Sequence, residues 1–285
     1  FDGSAARPLS PSLSPRLHPM SVSVVVPAYD EAVNIEPLTR RLFAATTSAN
    51  LRAELIIADD ESRGSEATAA AVEQLRAEGF NVRIHRRTRA EGRGLSSAVL
   101  LGFAQATHDV LLCMDADLQH EPESVPAIAA PVLSGSADFA IGSRYVGGGG
   151  LGFDWSPIRR IISAGATALA WPLTSSSDPM SGFFCLSKQT LARGAKSGVN
   201  AMGFKIGLEL MARCRCQRVV DVPITFQERQ AGESKLSGKQ QLLYLRQLAS
   251  LYWFKFGLLL LLGVLPGGLA LLAAAAFTAR LVLSR

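Results

Sequence analysis

Asp115 and Asp117 stand two residues apart in the run MDADLQH, with Gln119 two further on, at the end of the apolar stretch DVLLCM. At a strand end, a spacing of two sends both side chains to the same side. Two hard carboxylate oxygens with a glutamine oxygen beyond them suit Mg2+ or Mn2+, which keeps waters and takes its remaining ligands from a substrate diphosphate. A D-x-D pair by itself recurs in many chains and then caps a loop; the strand-end position and the extension to DADLQH are what point to chemistry. Three more carboxylates follow β-like runs: Glu31 after SVSVVV, and Asp59 and Asp60 after AELIIA. Like charges gathered on one rim raise each other's pKa unless something cationic or hydrogen-bonding sits among them. A metal ion is the simplest remedy. His120 reads as a local hydrogen-bonding residue rather than a ligand.

Other chemistries lack their signatures. GGGGLG at 147–152 satisfies G-x-G-x-x-G but leads to Trp155, Ser156 and Pro157 without opening a helix at once, so the dinucleotide fingerprint fails on context. There is no G-x-x-x-x-G-K-[ST] for a phosphate-binding loop and no G-x-S-x-G for a serine hydrolase. What remains is a nucleotide diphosphate held through metal, arginine and lysine.

The elements that must carry these residues follow from the apolar rhythm. SVSVVV (21–26), AELIIA (53–58), NVRIH (81–85), DVLLCM (109–114) and ADFAIG (137–142) read as strands, and 32–48, 65–78, 95–106 and 122–133 have helical spacing. Gly79 is a helix stop and Pro122 a first-turn residue. Strand and helix in alternation imply an α/β domain with an open, mostly parallel sheet, right-handed crossovers and helices on both faces. Ligands of such sheets bind outside the carboxyl ends of the strands, which is where the carboxylates fall. Beyond 143 the rhythm breaks into a glycine run, a helix near 157–171, a strand through FFCL, a short helix over 205–213 and a strand through RVVDVPITF.

The chain has 285 residues, a formal charge of +5 and a pI near 9.2. Its basic residues are spread along the chain and offset by acidic ones, which argues against a nucleic-acid partner. The one dense basic run, Arg83, Arg86, Arg87, Arg89 and Arg93, reads as a solvated strand edge and loop. Cys113, Cys185, Cys214 and Cys216 form neither a disulfide framework nor a C-x-x-C zinc pair, which fits a reducing compartment. Residues 1–20 read as a disordered extension before a catalytic domain at 21–238, an interfacial amphipathic helix at 239–255 and a membrane anchor at 256–279. That last stretch is uncharged, and as a helix would span about 36 Å. Tyr252, Trp253 and Phe254 would form an aromatic belt, with Lys255 and Arg280 bracketing the span. Pro266, Gly267 and Gly268 also allow a kinked helix or a re-entrant hairpin. The basic residues upstream favour a cytoplasmic catalytic part.

VVVPAYDE (24–31), IIADDES (56–62), RGLSSAVLLGF (93–103), MDADLQHEPE (114–123), IGSRYVGGGG (141–150), RRIIS (159–163), SDPMSGFF (177–184), GFKIGLEL (203–210) and ERQAGESKLSG (228–238), in that order, resemble the dolichol-phosphate mannose synthases. The resemblance covers residues 22–279 and is to the single-chain form with its own anchor, which implies that regulatory subunits are not required. It implies an inverting glycosyltransferase of the GT-A fold that moves mannose from GDP-mannose to dolichyl phosphate on the cytosolic face of the endoplasmic reticulum membrane. It places Pro27, Tyr29, Glu31, Ala58 and Asp60 at the nucleoside, Asp115, Asp117 and Gln119 at the metal, and Ala116 against the donor. Arg144, Lys205, Arg229 and Lys235 would meet the diphosphate or sugar, with Asp117, Arg144, Arg229 and Lys235 as the catalytic set. Arg159 and Ser163 would receive the lipid phosphate. Glu61 stands where many relatives have glycine or a small polar residue, and Glu121 where proline is common.

A phosphate monoester is largely dianionic at neutral pH and attacks without a general base, so electrostatics would carry the catalysis. Asp178 reads either as a base for a hydroxyl acceptor or, beside Pro179, as a structural or sugar-orienting residue. Rival readings are glucosyl transfer from UDP-glucose to a polyprenyl phosphate, a non-catalytic membrane adaptor on the same fold, and a nicotinamide-dependent oxidoreductase.

Overall fold

The computed structural model describes residues 20–153, 157–228, 238 and 240–257. Five strands alternating with four helices come first: β1 (Ser21–Ala28), α1 (Ala32–Ser48), β2 (Arg52–Asp59), α2 (Ser65–Ala77), β3 (Val82–Arg86), α3 (Leu95–Gln105), β4 (Val110–Cys113), α4 (Val125–Leu133) and β5 (Phe139–Ser143). Then follow β6 (Gly150–Leu151), α5 (Pro157–Ala170), β7 (Phe184–Ser187), α6 (Lys188–Lys196), α7 (Ile206–Arg213), β8 (Val219–Pro223) and β9 (Thr225–Phe226). A helix over 240–257, α8, closes the described chain.

The main sheet runs β3-β2-β1-β4-β7-β5-β8, and only β7 is antiparallel to its neighbours. Its strands are nearly continuous apolar runs because both faces are covered. Period two divides them cleanly. Val22, Val24 and Val26 of β1 join Leu55, Ile57 and Leu112 under α1, α2 and α4, whereas Val25, Ile56, Leu111 and Cys113 face α3 and α7. Helix α3 lies so close to β1 that a Cβ on Gly102 would meet the Val25 methyl at 2.3 Å, so only glycine fits there.

The antiparallel β7 decides what reaches the functional rim. An antiparallel strand begins where its parallel neighbours end, so the segment before β7, Asp178 to Phe183, is delivered to the carboxyl ends of β4 and β5. Phe184 pairs with Cys113 and Ile141 there. The expected RVVDVPITF strand is split, because Ile224 donates its N–H to Ser143 while Thr225 and Phe226 leave to pair with Gly150 and Leu151. The glycine run thus contributes a short strand that its composition hid.

At the opposite rim a buried carboxylate is purely structural. Burial opposes ionisation of Glu54, but hydrogen bonds from Ser23 and Thr107 and the Arg83 charge outweigh it and hold its pKa at about 2. No helix among the described residues is long and apolar enough to cross a membrane. The anchor expected at 256–279 lies, from residue 258 onward, outside the described residues, as do 1–19.

Candidate active site

The loop after β4 turns sharply at Leu118, whose φ is +60°. That turn brings Gln119 back so that its N–H donates to Asp117 Oδ1 at 3.1 Å. The Gln119 side-chain amide donates to the Gln227 carbonyl at 3.0 Å. Asp117 is buried, while the Asp115 side chain is a third exposed. Gly182, delivered by β7, lies against the Asp115 carboxylate; a Cβ there would come within 3.1 Å of Oδ2. His120 is buried between Phe183 and Phe226, and its Nδ1 accepts the Asp115 N–H at 3.2 Å. Burial, partly offset by the Asp117 charge, lowers its pKa to about 4, so it stays neutral and holds the loop.

Arg144 follows β5 and meets Asp178 through a fork. Its Nε and Nη2 donate to Oδ2 and Oδ1 at 2.7 and 2.8 Å, and its backbone N–H donates to Oδ2 at 3.1 Å. Asp178 is fully buried. The turn that holds it is fixed from below: Ser176 Oγ donates to Asp221 at 2.7 Å, and Ser176 Oγ in turn accepts the Asp178 N–H at 3.1 Å. A carboxylate engaged in this way orients the Arg144 guanidinium, which favours the structural or sugar-orienting reading of Asp178. The Arg144 guanidinium also lies 5.1 Å from the Phe226 ring centroid.

Lys205, just before α7, donates through Nζ to the Met180 carbonyl at 2.7 Å. Burial first, and then the nearby Arg144 charge, lower its pKa to about 8 against the pull of Asp115 and Asp178. Three carboxylates and two cations thus share one basin at the rim.

The remaining rim carboxylates do not need a metal. Glu31 is buried and accepts from Asn34 at 2.8 Å. Asp59 is engaged by the hydroxyls of Ser62 and Ser65, and Asp60 pairs with Arg87 at 2.6 Å and accepts the Gly94 N–H at 2.8 Å. The five carboxylates therefore converge on one edge but not on one cation, and among the described residues no group of three acidic, histidine or cysteine side chains gathers as a metal cluster. Asp60 stays at the edge beside Pro27 and Ala58, which are paired across β1 and β2, and near the half-exposed Tyr29.

The solvated-edge reading of the basic run holds for Arg86 and Arg93, which pair with Glu66 and Glu61 on the surface, and fails for Arg87. Arg87 is buried, spanning Asp60 and Ser97. Glu61 adopts φ +50°, a left-handed conformation that glycine takes without strain. Glu121 accepts from the Gln227 side chain and so braces Gln119.

Arg159 and Ser163 stand on α5, and Ser163 reaches the Tyr145 hydroxyl at 3.4 Å, next to Arg144. Arg229 and Lys235 lie outside the described residues. Sequence reasoning missed Arg87, Gly182 and Gln227; for none of them does type or spacing give a signal, since each acts through a partner distant in the chain.

The profile of glycosyl transferase family 2 matches residues 23–193, from β1 through α6. A dolichol-phosphate mannosyltransferase of Mycosarcoma maydis is 49% identical over 244 residues, spanning 83% of this chain and 81% of its own. One from Saccharomyces cerevisiae is 48% identical over 241 residues, spanning 82% and 88%. The chain belongs to glycosyl transferase family 2, among the dolichol-phosphate mannosyltransferases. A glucosyl-3-phosphoglycerate synthase from Mycobacterium tuberculosis, solved with Mn2+, UDP and phosphoglyceric acid, shares the fold at a TM-score of 0.56 and 19% identity, over 82% of this chain and 78% of its own.

Proposed function

We propose that the chain transfers mannose from GDP-mannose to dolichyl phosphate, with inversion at the anomeric carbon. Mannose transfer to dolichyl phosphate is the activity of the family to which it belongs. The observation that carries the reading is the Arg144–Asp178 fork beside Asp115, Asp117 and Lys205. With a divalent ion at Asp115 and Asp117 it would offer net positive charge to two anions, while the two residues best suited to act as a base are already engaged: His120 is neutral and holds the loop, and Asp178 is bound to Arg144. An already ionised phosphate acceptor needs no base.

Asp115 and Asp117, with the Gln119 amide oxygen, fit a hard divalent ion, Mg2+ or Mn2+, that fills its shell from water and a diphosphate; their strand-end spacing and the glycine-lined face of Asp115 leave room for one. Such an ion, when bound, would neutralise charge on the departing diphosphate. The chain's own part is positional. Asp60, Glu31, Pro27, Tyr29 and Ala58 would line the nucleoside, and Ala116 the donor. Arg144 and Lys205, joined by Arg229 and Lys235, would meet the diphosphate or sugar. Arg159 and Ser163 would steer the acceptor phosphate in line with the leaving group.

A lipid-tailed acceptor must arrive along a membrane. Ile161, Ile162, Leu169 and Trp171 at α5, and Leu242, Leu245 and Trp253 of α8, expose apolar side chains, as an interfacial surface would. We place that surface on the cytosolic face of the endoplasmic reticulum, with 256–279 as the span and no separate regulatory subunit required. Turnover of dolichyl phosphate with GDP-mannose and with UDP-glucose, side by side and with added metal, tests the donor. Product from GDP-mannose alone is expected; a preference for UDP-glucose, or no turnover with either, would overturn the assignment.

A further inference from the structure

Helix α8 does more than lie on a surface. Its inner face, Tyr244, Leu248 and Leu251, packs with Ala170 of α5, Leu173, Met180, and Leu208 and Ala212 of α7 in one buried cluster. Polar bonds from the same face fix two other elements. The Tyr244 and Tyr252 hydroxyls donate to the carbonyls of Ala166 and Leu169 on α5 at 2.6 and 2.9 Å. The buried Gln247 donates through Nε2 to the Lys205 carbonyl at 3.2 Å and to Glu209 Oε2 at 3.1 Å. Ser250 Oγ accepts from Arg213, whose Nε also holds Glu209 at 2.6 Å.

Lys205 is therefore held at both ends. Its ammonium rests on the Met180 carbonyl, and Met180 belongs to the α8 cluster; its own carbonyl is held by Gln247. The other partner of α8 is the helix that carries Arg159 and Ser163. We propose that α8 is a positioning element of the active site: Gln247 sets the place of Lys205 on the donor side, and Tyr244 sets α5 on the acceptor side. The membrane-proximal helix thereby fixes the separation of the two substrates as well as their distance from the bilayer. This rests on the reading of Lys205 as a donor contact and of α5 as the acceptor helix.

The test uses the full chain in detergent with a short-chain dolichyl phosphate analogue, so that membrane docking is not limiting. Gln247→Leu should weaken GDP-mannose binding at least fivefold and lower kcat, with co-flotation on vesicles unchanged. On a Lys205→Met background the same substitution should weaken donor binding no further, because it acts through Lys205. Tyr244→Phe, which keeps the ring in the cluster, should raise the acceptor KM severalfold and leave donor binding unchanged. It also carries the test should Gln247→Leu fail to fold. If Lys205→Met alone leaves donor binding and turnover intact, the reading of the site falls. If it weakens donor binding while Gln247→Leu does not, or if both losses simply add, the positioning role of α8 is overturned. An unchanged acceptor KM in Tyr244→Phe overturns its acceptor side.

Discussion

Arg144 and Asp178 are joined by a two-point fork, and each depends on the other. Replacing Asp178 by asparagine leaves a mostly buried guanidinium without its counter-charge, a change that typically costs about 3–5 kcal/mol. Asp178→Asn is therefore expected to lower unfolding free energy by that order and turnover by roughly 100-fold. Urea unfolding and initial rates check both. Lys205 gives a pH signature. Its pKa falls from the ordinary 10.5 to about 8 through burial and Arg144, so in the free enzyme the ammonium is lost as pH rises through about 8. The donor kcat/KM, which reports the free enzyme, should fall along that limb. Lys205→Arg should move the fall to higher pH, and a wild-type profile flat between about pH 7 and 9 would contradict the role. In the unfolded chain the same lysine holds its proton up to 10.5, so between about 8 and 10.5 its contribution to folding stability grows with pH.

Elements decide which residues can meet. Helix α3 approaches β1 closely at Gly102 and Val25, and Gly102→Ala should destabilise by about 1–3 kcal/mol, measurable by thermal melting, with no direct effect on the donor KM. The alternation of apolar strands and periodic helices up to Ser143 was legible because both signals are local, and α1 spans the expected 32–48. The strand-end rule likewise gave the right edge for Asp60, Asp115 and Asp117. What local pattern could not carry was the direction of β7: FFCL reads as a strand whichever way it runs, yet its antiparallel course is what brings Asp178, Met180 and Gly182 to the loop after β4. The two-residue β6 in the glycine run was hidden for a related reason, since it is too short to show a period. For Asp59 and Asp60 the relief is other than a metal: Ser62 and Ser65, three and six residues on, bond Asp59, while Arg87 reaches Asp60 through tertiary structure that spacing does not show.

At the scale of the whole molecule, the proposed donor and acceptor sites flank the basin where Asp115, Asp117 and Asp178 meet Arg144 and Lys205, and apolar side chains of α5, which carries Arg159 and Ser163, and of α8 are exposed. Removing residues 258–285 while keeping α8 should cut recovery with membranes and spare turnover of a short-chain acceptor in detergent; equal membrane recovery would count against the anchor. The account as a whole turns on a divalent ion at Asp115 and Asp117. The most direct measurement is mannosyl transfer from GDP-mannose to dolichyl phosphate after exhaustive chelation, followed by return of Mg2+ or Mn2+, in the native chain and in Asp117→Ala. Transfer that collapses, returns with metal in the native chain and does not return in the variant is the predicted result. Undiminished transfer in the chelated enzyme, or full turnover by Asp117→Ala, would contradict it.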